Sequence, residues 1–292
     1  MTTFAPTVQH RLLSDRTLRR RRLLGWIAHR SVLLALVAMF VTPLVFAVLT
    51  AVMTDQQALT SRLLPNPVAL GNFGRVFESI PLIGYTVNTL QYAVLSTLGV
   101  VVSSVPAAYA LARFQWRGQR LAMVLVLAMM MLPLQITVVP LYVMYGQLGW
   151  LGALAPLIVP SFFGHAFSIF LLRQFLVSIP QDYAEAARID GASEWRIMTR
   201  VILPMAKPAV AAVALFHFMY CWNDLFGPLL YTSENESFWT LSMGLAAFKT
   251  SFGVQWNLTL AATLLFMAPV LLLFLAAQRV FVEGVSLTGV KG

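Results

Sequence analysis

Apolar runs of about 20 residues, the length that crosses ~30 Å of hydrocarbon, recur near 31–53, 86–112, 121–145, 152–172, 208–232 and 257–281. Between the fourth and fifth runs the pattern changes. The stretch DYAEAARIDGASEWRIMTRVILP, 182–204, carries Asp182, Glu185, Arg188, Asp190, Glu194, Arg196 and Arg200. The alternation predicts an all-α, polytopic membrane protein: six transmembrane helices and one mixed-charge helical segment outside the bilayer. Pro43, Pro106, Pro133, Pro140, Pro156, Pro160, Pro228 and Pro269 fall inside the runs and predict kinks or local breaks, because each removes a backbone donor. No period of 20 to 50 residues is evident, which excludes a repeat array. The chain divides into a basic N-terminal segment (1–30), a membrane domain (31–281) interrupted at 173–207, and a tail (282–292).

Local signals within 173–207 describe a bent pair of short helices. Ser178 followed by Gln181 reads as a capping box, with Pro180 tolerated in the first turn. The helix runs through DYAEAARI to Gly191, whose missing Cβ permits the turn at a helix end. Ser193 is placed to cap a second helix, in which Trp195, Met198 and Ile202 recur at near-helical spacing until Leu203-Pro204. Ala184, Ala186 and Ala187 give the elbow a low-relief face, flanked by Glu185, Arg188 and Asp190.

Charge fixes the orientation. The 292 residues are 59% hydrophobic and 11% charged, with a net charge of +9. A basic balance can signal nucleic acid, but only if the cations cluster on a binding face. Here 17 of the 20 Lys and Arg lie in the N-terminal segment, the 113–120 turn, the 173–207 segment and the C-terminal end, and only Arg62, Arg75 and Lys249 lie in the alternate loops. The positive-inside rule therefore places both termini in the cytoplasm and the loops 54–85, 146–151 and 233–256 outside. No nucleic-acid role is needed. The charge-free run Ser31–Met53 exceeds the roughly 7–15 residues of a signal-peptide core, so an uncleaved span is expected. Arg19 to Arg22 then act as a topology determinant facing anionic lipid.

Polar residues inside the oil are the remaining candidates. Asp224 lies in the outer half of the fifth span, where a carboxylate costs about 2.5–3.5 kcal/mol at a helix centre, and it requires a partner or a wet cavity. With Asn223 it either lines a pathway or pairs with another helix of this subunit or of a partner subunit. His165 and His217 read as hydrogen-bonded packing residues, not metal ligands, and the single Cys221 offers neither a disulfide nor a thiolate metal site. Asn88, Gln91 and Gln135 are expected to bridge helices or line a path. Phe163, Phe167 and Phe170 recur at helical spacing, as packing or lipid-facing rings or as stacking platforms for sugar rings. No GxSxG, HExxH or P-loop string is present, so no catalytic, cofactor or metal residue is assigned and the chain is not read as an enzyme.

The string EAA, three residues, Gly, nine residues, Val-x-Leu-Pro resembles the cytoplasmic signature of ABC-importer permeases. With WND at 222–224 and the ending GVSLTGVKG at 284–292, the chain from Arg30 onward is similar to the six-helix carbohydrate permeases of the maltose-importer type. The resemblance implies a cytoplasmic-membrane subunit of a bacterial or archaeal importer, forming half of a pathway for a di- or oligosaccharide. It implies four kinds of partner: a second homologous permease, two ATPase subunits that bind ATP and Mg, an extracytoplasmic binding protein, and the lipid bilayer. Glu185 would pair with an ATPase-subunit Arg, Ala186 and Ala187 would pack in its cleft with Asp190 beside them, and Gly191 would form the bend. Gly289, Val290 and Lys291 would run between the two ATPase subunits, and the loop 233–256 would reach toward the binding protein's sugar site. The same mechanism would serve glycerol-phosphate-type or polyol solutes. An ion-coupled secondary transporter is the more distant alternative, since Asp224 alone only weakly supplies the intramembrane ion site expected there.

Overall fold

The computed structural model describes residues 9–251 and 255–289, with side chains for 24–133, 135–247, 255–272 and 275. The described residues form helices and turns without a β-strand. In chain order they are α1 (Gln9–Ala51), α2 (Asn72–Ser79), α3 (Leu82–Arg113), α4 (Gln119–Met131), α5 (Leu134–Gln147), α6 (Ala155–Ile158), α7 (Ala166–Ser178), α8 (Asp182–Ile189), α9 (Glu194–Ile197), α10 (Leu203–Met205), α11 (Lys207–Asn223), α12 (Phe226–Tyr231), α13 (Leu241–Ser251) and α14 (Trp256–Gly289). A 3₁₀ segment, Val159–Phe163, joins α6 to the break before α7, and a π-helical turn, Met198–Ile202, joins α9 to α10.

Three described helical stretches are long and apolar enough to cross a membrane: Leu24–Ala51, Leu82–Arg113 and Ala155–Ser178. The number rises to five if each of two bent pairs is a single span. One pair bends by 96° between Met131 and Gln135, the other by 79° between Met205 and Lys207. A shorter apolar helix covers Trp256–Leu272. The apolar runs thus map onto helices, but not onto six uninterrupted ones. The third is broken at Leu132-Pro133, where extended backbone (ψ 119° and 136°) separates α4 from α5. The fourth breaks at Gly164, φ +99°, and the fifth at Asp224, an extended residue between α11 and α12. Pro106 and Pro269 instead lie within continuous helices.

Helix α3 is the central strut, packing against both α7 and α11, while α1 and α14 pair at one side. One apolar core joins the α3 residues Val105, Ala108, Tyr109 and Leu111 to Leu172 and Leu176 of α7 and Ala209 and Val213 of α11. A second, at the other end of α3, gathers Tyr85, Trp222, Leu241, Leu258 and Ala261. By contrast, the apolar side chains of α1 from Leu24 to Val45 are exposed in the isolated chain, as expected of a helix that meets lipid or another membrane subunit.

Candidate functional site: the charged elbow and the polar groups of the helix bundle

The charged interruption folds as an elbow fixed to the ends of three helices. Arg113 donates to the Ile179 carbonyl at 2.9 Å and Arg173 Nε to the Leu111 carbonyl at 3.1 Å, so the ends of α3 and α7 are tied in both directions. Helix α8 starts at Asp182, with Asp182 and Glu185 in a first turn that favours negative charge. The expected capping box does not form. Ser178 Oγ turns back to the Phe175 carbonyl at 2.7 Å, because Ile179, Pro180 and Gln181 lie between the two helices and α8 begins four residues further on.

The other end of α8 closes as expected. Gly191 adopts φ +78°, its N–H donates to Arg188 O at 3.0 Å, and Ala192 N–H donates to Ala187 O at 2.9 Å. These are the paired bonds of a Schellman cap, with Gly191 at the left-handed position. Ser193 then takes the extended N-cap conformation before α9, although its hydroxyl makes no capping bond. Glu194, first in α9, accepts from Arg188 Nε at 2.6 Å and from Tyr109 Oη of α3 at 3.1 Å. The bend is therefore fastened both across itself and to the central strut. The Arg188 bond, followed by that from Tyr109, holds the Glu194 carboxyl below its usual range.

The elbow has two distinct faces. Ala184, Ile197, Met198 and Ile202 are buried in the core with α3, α7 and α11, and Ala187 is half-buried against it. Ala184 consequently belongs to the inward face, not the low-relief outer one, and Trp195 departs from the Met198 and Ile202 stripe and is 69% exposed. Outward lie Tyr183, Glu185, Ala186, Ile189 and Asp190, with Ile189 87% exposed. Glu185 and Asp190 form no ion pair among the described residues. Gly289 ends α14, and Val290 and Lys291 lie outside the described residues.

Asp224 finds partners inside its own chain. Its Oδ2 accepts from Tyr92 Oη of α3 at 2.9 Å and its Oδ1 from Gly227 N–H at 3.0 Å, where it caps the start of α12. Its carbonyl accepts from Ser242 Oγ at 2.6 Å. These contacts supply the helix-joining alternative for Asp224. Asn223 is exposed and bonds back to Met219 O of its own helix at 2.7 Å. Asn88 joins α3 to the segment before α13 through the carbonyls of Ser237 and Trp239, at 2.8 and 2.9 Å. Gln91 and Gln135 are exposed. His217 Nε2 bonds Ser96 Oγ at 2.9 Å and His165 Nδ1 bonds Ser168 Oγ at 2.8 Å, while no group of three or more metal-ligating side chains converges among the described residues.

A polar clasp that the sequence pattern did not single out holds the loop end. Arg75 forms a two-pronged pair with Asp55 at 2.8 and 3.1 Å, Asn257 donates to the same carboxylate at 2.7 Å, and Asn72 donates to the carbonyls of Ala51 and Met53. The Arg75 hydrogen bond, then that of Asn257, lowers the Asp55 pKa. The available signal was Asn257 itself, an amide at the head of an apolar run.

The chain belongs to the binding-protein-dependent transport system inner membrane component family, whose model matches residues 99–287. It is 34% identical to the osmoprotective compounds uptake permease protein GgtD of Synechocystis sp., over 76% of this chain and 75% of that protein. It is 30% identical to the arabinooligosaccharides transport system permease protein AraQ of Halalkalibacterium halodurans (78% and 81% covered). Identity to the diacetylchitobiose uptake system permease protein NgcG of Streptomyces coelicolor is 31% (84% and 82% covered). The fold is shared with a chain of a bacterial ABC transporter involved in the import of the acidic polysaccharide alginate, with a TM-score of 0.73 and 23% identity over 95% of this chain and 99% of that one. The family resemblance carried by the EAA string is thus borne out.

Proposed function

We propose that the chain is the six-span permease subunit of an ATP-driven importer for an oligosaccharide delivered by an extracytoplasmic binding protein. In this reading α4 with α5, and α11 with α12, each make one broken span, and α14 makes the sixth. Both termini and the elbow face the cytoplasm in this reading, which the 17-to-3 distribution of Lys and Arg supports. A second homologous permease completes the pathway, and two ATPase subunits, which bind the ATP and Mg, drive it.

The observation that carries the reading is the two-faced elbow. A lever must be rigid toward the part it moves and free toward the part that pushes it. The inner face of α8 and α9 is buried against α3, α7 and α11, while Glu185 and Asp190 remain exposed and unpaired among the described residues. ATPase closure pressing on Tyr183, Glu185, Ala186 and Ile189 would be passed through the Glu194 latch to α3, and the helices would swing between inward- and outward-open arrangements. The names of relatives such as AraQ and NgcG support an oligosaccharide cargo. The name of GgtD favours a second reading by the same mechanism, an osmoprotective compound as cargo.

Co-purification followed by uptake tests the proposal. The chain expressed with its neighbouring transport subunits should be isolated with an ATPase, and vesicles containing the complex should accumulate sugar only with ATP and binding protein. Accumulation driven by an ion gradient, with no ATPase retained, would overturn it in favour of a secondary transporter.

A further inference from the structure

Between α7 and α11 lies a cavity of about 220 Å³ lined by His165, Phe167, Ser168, Val213, Phe216, His217 and Tyr220. It is smaller than the roughly 300–1,000 Å³ of sites for drug-sized ligands, but has their composition of aromatic walls with a few convergent polar groups. His217 is ten residues into α11, about 15 Å from Lys207 at 1.5 Å per residue, which is half of a ~30 Å hydrocarbon layer. With Lys207 at the membrane edge, as in the proposed six-span topology, the cavity lies near the midplane.

Two features argue against a lipid-facing surface. Phe216, Tyr220 and Asn223 form an exposed stripe at helical spacing on α11, and two of the three are polar. The exposed face of α1, with Leu34, Met39 and Phe40, shows what an apolar environment selects. Polar side chains at membrane depth face a bundle interior or a watery path. The second feature is the pair of imidazoles. Their ring centroids are 5.3 Å apart, Ser96 and Ser168 each fix one nitrogen, and His165 Nε2 and His217 Nδ1 have no hydrogen-bond partner among the described residues. The Tyr220 ring stacks beside His217 at 6.0 Å.

The geometry points to a subsite for one sugar ring of the cargo, with Phe216 and Tyr220 as the stacking platform and the free imidazole nitrogens of His165 and His217 as hydroxyl partners. A pyranose or furanose ring offers an apolar C–H face and an edge of hydroxyls, which match an aromatic face beside imidazole nitrogens, since a hydroxyl can donate to or accept from either tautomer. The volume admits one ring of a longer chain. Phe163 takes no part: it lies beyond the Gly164 break and is 84% exposed. This inference rests on the sugar-importer reading and assigns this chain its own contact with the cargo.

The test uses the complete importer in vesicles, with its binding protein, and maltose, arabinotriose and diacetylchitobiose as probes. Tyr220→Ala and Phe216→Ala should each lower the uptake rate of the transported sugar about tenfold, the loss expected from removing a stacking ring, while the complex still co-purifies. Tyr220→Trp, which keeps an aromatic face, should retain most uptake, and Phe40→Ala, on the exposed face of α1, should match the parent. Full uptake by both alanine variants, or equal loss in Tyr220→Trp, would overturn the subsite and leave the importer reading intact. Failure of the unaltered complex to take up any of the three sugars would overturn the sugar reading, and this inference with it.

Discussion

Tyr109 of α3 and Glu194 of α9, 85 residues apart in the chain, meet at 3.1 Å, and Arg188 closes on the same carboxylate at 2.6 Å. This three-residue latch joins the elbow to the central membrane helix. Its members are about two-fifths exposed at the ion pair, where such a pair is worth roughly 0–1 kcal/mol. The latch therefore sets the angle of the elbow more than the stability of the fold. Glu194→Ala should leave expression and assembly near normal while raising hydrogen exchange across 182–197. Unchanged exchange would mean that the apolar inner face alone holds the elbow.

The latch also predicts a pH response. The folded Glu194 pKa lies below its ordinary value near 4.5, chiefly through Arg188. A depressed folded pKa means that the contribution is fully present above about 4.5 and fades as pH falls through the lower folded value. Exchange in the elbow should rise below about pH 4.5 in the parent, and that acid-induced increment should be absent in Glu194→Gln. A parent elbow as protected at low pH as at pH 7 would contradict this.

Gly191 carries a backbone requirement that no contact creates. A Cβ built there meets nothing within 4 Å, yet φ is +78°. Gly191→Ala is thus a clean probe of conformation, costing about 1–2 kcal/mol for a left-handed residue, and Gly191→Val should cost more because a β-branch narrows the choice further. Both should reduce ATPase co-purification in that order while membrane insertion persists. Equal retention of the ATPase by both would show that the bend is not what presents the outer face.

Much of the elbow was legible in the sequence, since Gly191 at the end of an Ala-rich amphipathic run leaves few other ways to stop a helix. What was not legible depends on tertiary partners. Ser178 could cap only if the helix began beside it, and α8 begins at Asp182, past the extended Ile179. Pro133 marked the break in the third apolar run, but the break at Asp224 was hidden, because a single extended residue leaves the composition of a run unchanged. The partner of Asp224 was equally hidden. Tyr92 is one of several aromatics in an apolar run, and only the packing of α3 on α11 selects it.

That pairing makes Asp224 a test of structure against pathway. Asp224→Ala leaves the Tyr92 hydroxyl and the Gly227 N–H without their acceptor, a loss of about 1–3 kcal/mol for each buried group. It should lower the thermal stability of the purified complex. Asp224→Asn keeps an acceptor for Gly227 and a donor that Tyr92 can accept, and should fall between parent and Ala. If Asp224→Ala had parental stability and only altered transport, the residue would belong to the path.

Topology can be read with single cysteines in a Cys221→Ser background. Glu234 and Leu64 are exposed in loops assigned to the outside, and Ser193 is exposed on the elbow. Impermeant maleimide added to intact cells should label cysteines at 234 and 64 and not at 193. The reverse pattern would invert the membrane orientation and remove the elbow from the cytoplasm.

The central claim is that the outer face of α8 docks on the ATPase while the inner face stays in the bundle. A photoreactive phenylalanine analogue replacing Ile189, which is 87% exposed, should cross-link the chain to the ATPase subunit in the assembled complex. The same analogue at exposed Ser79, at the loop end of α2, should not. Cross-linking from Ser79 but not Ile189, or no ATPase adduct from Ile189 in a complex that retains the ATPase, would contradict the account.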